Sequence, residues 1–358
     1  MNEILLFVTI LIQFTSCSLE QSKPVYEKSV AHIDQKGSSI ALKFTKGIRS
    51  IFQDSQGNYW LGSNEEGVVQ WDGKSFKYLT TEEGLADNQI FAIQEDSNGR
   101  IWIQTANGIS SYDGQSIINH EINESQDAQK KWTKTDNDLW FNAGNKEGIF
   151  RYDGEKIDYL AFPRPKIINP DNVYFVTGIA KGKNGMLWMA TYAGVYGYDG
   201  QEFTIINDET LGLKEETGEL HVRCILEDSK GRLWIGNNGI GVLLKEKDVI
   251  TNFSEQKNLI HPTSLNRPTT RRGDQSPAGT LEHVFAMEED EDGNIWFADR
   301  DTGLWRYDGH RIKHLINHLE ATNDFAHTIY KDIDGKLWFL MTNGSVFKFD
   351  GKTFAKSF

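Results

Sequence analysis

Seven tryptophans, Trp60, Trp102, Trp140, Trp188, Trp234, Trp296 and Trp338, stand in one frame, 42, 38, 48, 46, 62 and 42 residues apart. The phrase Asp54–Trp60 leads into the first. It recurs as Asp96–Trp102, Asp228–Trp234, Asp290–Trp296 and Asp332–Trp338, with degenerate copies ending at Trp140 and Trp188. Self-similarity at this period marks a repeat architecture, and four strand signals per unit mark a propeller blade. The chain is therefore expected to be all-β: a seven-bladed β-propeller with four antiparallel strands per blade.

Each unit can be parsed from its chemistry. An apolar or alternating run, such as Ile48–Phe52, reads as the inner strand. An Asp-x-x-Gly turn follows, in which the carboxylate can hold backbone N–H groups and Gly supplies a positive φ. The Trp and its apolar neighbours form the second strand. A third strand ends in an aromatic-Asp-Gly turn at Trp71, Tyr112, Tyr152, Tyr198, Tyr307 and Phe349, whereas the fifth unit has Lys245–Asp248 there. The Trp reads as a wedge between blades: burying roughly 150–250 Å² at about 25 cal/mol per Å² removes roughly 4–6 kcal/mol of apolar exposure, as an upper bound. Asp290–Gly293 and Asp332–Gly335 resemble calcium loops superficially. They lack the downstream Glu of an EF-hand, and Asp54–Gly57 fills the same place without the second Asp, so turn chemistry accounts for them.

The net charge of −13 excludes a basic nucleic-acid groove. Two cysteines exclude a disulfide framework and a cysteine-rich zinc site. Cys224 reads as a small buried hydrophobe. Residues 1–17 carry a short apolar run, too short to span a bilayer, followed by small residues and Cys17. Phe14–Cys17 resembles the lipobox of bacterial lipoproteins, which implies acylation of Cys17. The expected organisation is a lipoprotein-type signal peptide over 1–17, a tether with a possible closing strand over 18–43, and the propeller over 44–358. Two segments compete to complete the last blade, Ile40–Phe44 and Lys352–Lys356.

The irregularities carry more information about function. In the third unit Thr133–Asp138 replaces the turn, and the connections Ala161–Asn172, Asn207–Leu220 and Ser254–Glu282 are long and crowd one face. Thirteen residues before the Trp stand Gly47, Gln89, Phe175, His221, His283 and Phe325; eleven before it stand Arg49, Phe91, Thr177, Arg223, Phe285 and His327. In a regular strand these positions share a face. Arg49, Gln89, His221, Arg223, His283 and His327 are thus the candidate ligand-binding residues, converging on the mouth of the central channel. Cations and imidazoles in an acidic protein suit a carboxylate, a phosphate or an acidic sugar.

The pattern running from Ile51 to Gly73 and its copies resembles the two-component regulator propeller repeat. The resemblance implies an extracytoplasmic sensor of the bacterial envelope that responds to carbohydrates. This chain reads as a stand-alone propeller lipoprotein, so no kinase chemistry carries over. The expected function is non-catalytic binding of a glycan, an anionic small molecule or a partner protein, with no cofactor and no metal. A protein-interaction scaffold is one alternative. A metal-assisted lyase or hydrolase is another, since the repeat more distantly resembles streptogramin lyases and His221, His283 and His327 stand near Glu219 and Glu282 in the sequence.

Overall fold

A computed structural model describes residues 27–30, 33–34, 42–45, 47–127, 131–164, 173–214, 218–261, 275–316 and 324–358. The segment expected to be a signal peptide, with Cys17, lies outside these residues. Seven sheets follow one another along the chain and close into a wheel. Blade 1 is Ile48–Gln53, Tyr59–Ser63, Val68–Trp71 and Phe76–Leu79, each strand antiparallel to the last. Blades 2, 4, 5, 6 and 7 repeat this order from the axis outward.

Each framed Trp packs into the blade that follows it. Trp60 joins Ile90, Ile93, Ile101 and Tyr112 of blade 2, and Trp338 joins Ile48, Ile51 and Leu61 of blade 1. All seven are no more than 5% exposed. The core is thus seven inter-blade layers. The turn Asp fixes each wedge: Asp54 Oδ1 accepts the backbone N–H of Gln56 at 3.1 Å and of Asn58 at 2.8 Å, and its Oδ2 accepts the indole N–H of Trp60 at 2.8 Å. The same indole bond forms at Asp96, Asp228, Asp290 and Asp332, at 2.8–2.9 Å. Gly57 closes the first of these turns at φ 88°, where a side chain would be strained.

A second device stitches neighbouring blades through the residue seven before the Trp. Glu95 accepts the N–H and hydroxyl of Ser55, both at 2.7 Å, and Glu289 accepts those of Ser229 at 2.6 and 2.5 Å. Glu227 takes the N–H of Lys183 at 2.6 Å, and Gln53 takes that of Ile333 at 3.0 Å across the closure. Lys181 and Lys331 reverse the polarity, donating to the carbonyls of Asp138 and Glu289 at 3.0 and 2.7 Å.

The closing strand of blade 7 is Phe354–Ser357, paired with Val346–Phe349. Of the two expected candidates, the C-terminal one therefore fills the place; residues 42–45 form no strand, and Leu42 and Phe44 instead pack on the layer between blades 7 and 1. Within the expected tether, Glu27–Val30 runs parallel to Ile312–Ile316 of blade 6 and Ile33–Asp34 parallel to Phe354–Ser357.

Blade 3 departs from the rest. Its sheet holds Leu139–Asn142, Gly148–Tyr152 and Ile157–Ala161, with Ile122–Asn123 added in parallel on the outside. Among the described residues no inner strand precedes Leu139. The preceding segment lies in the groove toward blade 4, where Trp132 stacks on Trp140 and Phe162 at 6.3 and 6.1 Å and donates its indole N–H to the Ala161 carbonyl at 2.8 Å. Asp138 is buried and gripped by Arg151 Nε and Nη2 at 2.7 and 3.0 Å.

Because the turn carboxylate holds a buried indole, Asp228→Ala is expected to cost about 1–3 kcal/mol, the penalty for an unsatisfied buried donor. Asp72→Ala in an exposed turn is expected to cost clearly less. Guanidinium chloride denaturation of the two variants checks the ordering.

Candidate functional site

The inner strands of blades 1, 2, 4, 5, 6 and 7 share a local irregularity. The register shifts between Ile48 and Ser50, Ile90 and Ala92, Val176 and Gly178, Val222 and Cys224, Val284 and Ala286, and Ala326 and Thr328. The extra residue at each bulge is the one eleven before the Trp: Arg49, Phe91, Thr177, Arg223, Phe285 or His327. A bulge re-aims the side chain it inserts, and all six line one central cavity of about 850 Å³.

The bulge also breaks the alternation of the strand, so of the residues thirteen before the Trp only Phe175 joins them among the described residues. His221 is buried against Tyr192, with ring centroids 4.9 Å apart. His283 is buried in a polar cluster, its Nδ1 2.7 Å from Asp301 Oδ2 and 2.8 Å from Arg300 Nη2. Gln89 is tied through its backbone N–H to Asp87 Oδ1 at 2.8 Å. Of the six candidate residues the fold brings Arg49, Arg223 and His327 to the cavity and places Gln89, His221 and His283 outside its lining. Among the described residues no group of three or more His, Cys, Asp or Glu side chains is placed to hold a metal ion. Glu282 is buried and accepts the N–H of His261 at 2.7 Å. Cys224 is half-buried against the layer between blades 5 and 6, its thiol 3.6 Å from the Val284 carbonyl.

Within the cavity, cations lie on aromatic faces. The Arg49 guanidinium sits 4.6 Å from the Phe91 ring centre, and Arg223 lies 4.7 Å from Phe285 and 5.1 Å from Tyr192. Lys181 also lines the space, and no Asp or Glu does among the described residues. Burial lowers the pKa of Arg49, and that of Lys181 despite the charges of Asp138 and Asp136. A stacked guanidinium still presents N–H groups in its plane, the geometry that holds a carboxylate or phosphate.

The blade 3 defect shapes the rest of the cavity. With no inner strand before Leu139 among the described residues, Trp140, Asn142, Gly144 and Asn145 reach its wall. Gln94 and Gln104 of blade 2 also line it, their amide nitrogens donating to the Trp140 and Asn142 carbonyls at 2.8 and 2.5 Å. Sequence reasoning missed these residues because its register was counted over six inner strands; the vacant seventh place was the available signal. Of the long connections, Ser254–Glu282 is rooted at both described ends, with Leu281 N–H bonded to the Leu259 carbonyl at 2.8 Å and both residues fully buried.

The two component regulator propeller model matches residues 44–65, 84–107 and 218–239. No curated protein gives a match. Among solved structures, the extracellular domain assigned to a hybrid two component system from B. thetaiotaomicron aligns at TM-score 0.62 and 20% identity, over 88% of this chain and 40% of that one. This chain thus spans less than half of that domain. Virginiamycin B lyase from Staphylococcus aureus aligns at TM-score 0.61 and 15% identity, over 85% and 94% of the two chains. YCF48 bound to D1 peptide aligns at TM-score 0.56 and 13% identity, over 90% and 97%. At these identities the likenesses show the shared propeller fold. No helix among the described residues is long and apolar enough to cross a membrane.

His327 links the stability of the fold to pH. Burial pushes its imidazole below the ordinary value; the 3.1 Å contact to the Ile48 carbonyl opposes this, and the Arg49 charge reinforces it. A depressed folded pKa means that the unfolded chain takes up a proton first as pH falls. The stability it confers is complete above about pH 6.5, and is lost as pH falls from there through the folded value. Denaturation at pH 7.5 and 5.5 is expected to show this loss, and His327→Gln to reduce it.

Proposed function

Since the chain carries repeats of the two-component regulator propeller family, we propose that it is a non-catalytic, sensor-type binding propeller of the bacterial envelope that takes an anionic small molecule or acidic glycan in its central cavity. One observation carries this reading: in a chain of net charge −13, the 850 Å³ cavity is lined by Arg49, Lys181, Arg223 and His327 and by no carboxylate among the described residues. Acidic residues sit instead in outer turns, where Asp72, Asp113, Asp308 and Asp350 hold backbone N–H groups. A low-dielectric channel with cationic walls inside an acidic surface concentrates field on an entering anion. The resemblance of Phe14–Cys17 to a lipobox supports attachment to the membrane through an acylated Cys17.

Thermal-shift titration with galacturonate, inorganic phosphate and galactose tests the cavity. A ligand present at a hundredfold excess over its Kd stabilises by about 2.7 kcal/mol. The acids are expected to raise Tm with concentration and galactose is not; Arg223→Ala and Arg49→Ala are expected to remove the shift, while His221→Ala keeps it. An equal shift by galactose, or retention in both arginine variants, rejects the reading. Palmitate labelling tests the anchor: Cys17→Ser is expected to abolish incorporation and release the protein from the membrane fraction.

A further inference from the structure

Among the described residues the strand Leu139–Asn142 ends its sheet on the inner side, where the other blades place a bulged inner strand. Its inner edge, which has no backbone partner strand among the described residues, faces the cavity, since Trp140 and Asn142 both line that space. The carbonyls of these two residues are held by the side-chain amides of Gln94 and Gln104, reaching across from blade 2 at 2.8 and 2.5 Å. Two primary amides, spaced to meet alternate carbonyls of one strand, stand where a neighbouring backbone would. In an antiparallel ladder the N–H and C=O of a residue point the same way. The edge therefore directs the donors of Trp140 and Asn142 toward the cavity along with their acceptors.

We propose that this edge receives a short extended peptide with a free C-terminal carboxylate, which adds to blade 3 as its missing inner strand. The proposal rests on the reading of the cavity as an anion site and names the class of anion. A peptide N–H replaces each glutamine amide at the Trp140 and Asn142 carbonyls, so the exchange leaves those acceptors satisfied. Its carboxylate lies toward the cations on the same wall and opposite, Lys181, Arg49 and Arg223. A strand of four residues, about 13 Å long at roughly 3.3 Å per residue, matches the four-residue edge. Main-chain pairing along an open edge gives affinity, and the charge fixes direction. A sugar acid satisfies the cations but offers no ladder to the edge, so the open strand favours a peptide.

The test uses the whole protein and a pool of N-acetylated tetrapeptides, randomised in sequence, in three forms: free carboxylate, C-terminal amide, and free carboxylate with alternate backbone nitrogens methylated. Retention is read by equilibrium dialysis with mass spectrometry, beside galacturonate. The first form is expected to be retained, and the amide and N-methyl forms to bind about tenfold more weakly, the loss of roughly one charge-assisted bond. Hydrogen exchange at residues 139–142 is expected to slow with the first form only. Gln94→Ala, which removes one competitor for the edge, is expected to strengthen peptide retention severalfold. Equal binding of the N-methyl form, or exchange at 139–142 unaltered by a retained peptide, overturns strand addition. Galacturonate retained without any peptide overturns the peptide and leaves the anion site standing; retention of neither overturns both.

Discussion

The wheel depends on one carboxylate used twice. In five of the seven units the Asp that opens the turn holds backbone N–H groups with one oxygen and the Trp indole six residues later with the other. A turn is a local structure and a wedge is an inter-blade one, and this bond makes each conditional on the other. Burial alone pushes the Asp228 and Asp332 carboxyls up, yet the hydrogen bonds they accept outweigh it and hold both below their ordinary values. The ionised form is thus the one built into the fold. Where the turn Asp is missing, other groups take over its tasks. Trp188 donates to Glu227 of the next blade at 2.6 Å, and blade 3 buries the Asp138–Arg151 pair instead.

That division of labour leaves the inner face of the wheel unconstrained by the consensus. Stability comes from the apolar layers between blades and from the stitches at the residue seven before six of the seven tryptophans. The bulged residue four positions earlier contributes to neither: the six bulge residues are Arg, Phe, Thr, Arg, Phe and His, a set with no common chemistry. A bulge costs one ladder position and gains a side chain aimed at the axis. Repeating it on six of the seven blades builds a ring of six side chains that differ without disturbing the packing behind them.

Sequence periodicity located the blades because a buried Trp, a turn Asp and a Gly with positive φ are each nearly irreplaceable. It located half of the candidate site for a physical reason. Alternation with period two assigns both the eleventh and the thirteenth residue before the Trp to one face, and that holds only in a regular strand. The bulge makes the eleventh residue itself the extra, unpaired one, so Arg49, Arg223 and His327 face the cavity while His221 and His283 are buried elsewhere. Nothing local in Ile48–Ser50 or Val222–Cys224 announces a bulge. The stitches at Gln53, Glu95, Glu227 and Glu289 were not read from the sequence, because a polar residue at the end of a strand does not say which blade it reaches. The absence of an inner strand in blade 3 was visible only as degeneracy, because Trp132 does not signal by its type that it will turn outward and stack on Trp140.

The cavity's cations are held before any ligand arrives. A long basic side chain in a water-filled channel would sample many rotamers, and fixing each one on binding costs roughly 0.5–1.5 kcal/mol. Here Phe91 carries Arg49, Phe285 and Tyr192 flank Arg223, and Lys181 is tethered to the Asp138 carbonyl. Each support comes from a neighbouring blade, so the positions of the charges are set by the same inter-blade layers that the tryptophans wedge. The two functions of the repeat therefore meet in one structure: the rigid part, where the copies agree, fixes the geometry of the variable part, where they differ. Among the described residues blade 3 has no inner strand, and part of its ladder is unpaired where the wall opens. Gln94 and Gln104 limit that cost by satisfying the bared carbonyls with side chains that a competing backbone can displace, which a covalently continuous seventh strand would not allow.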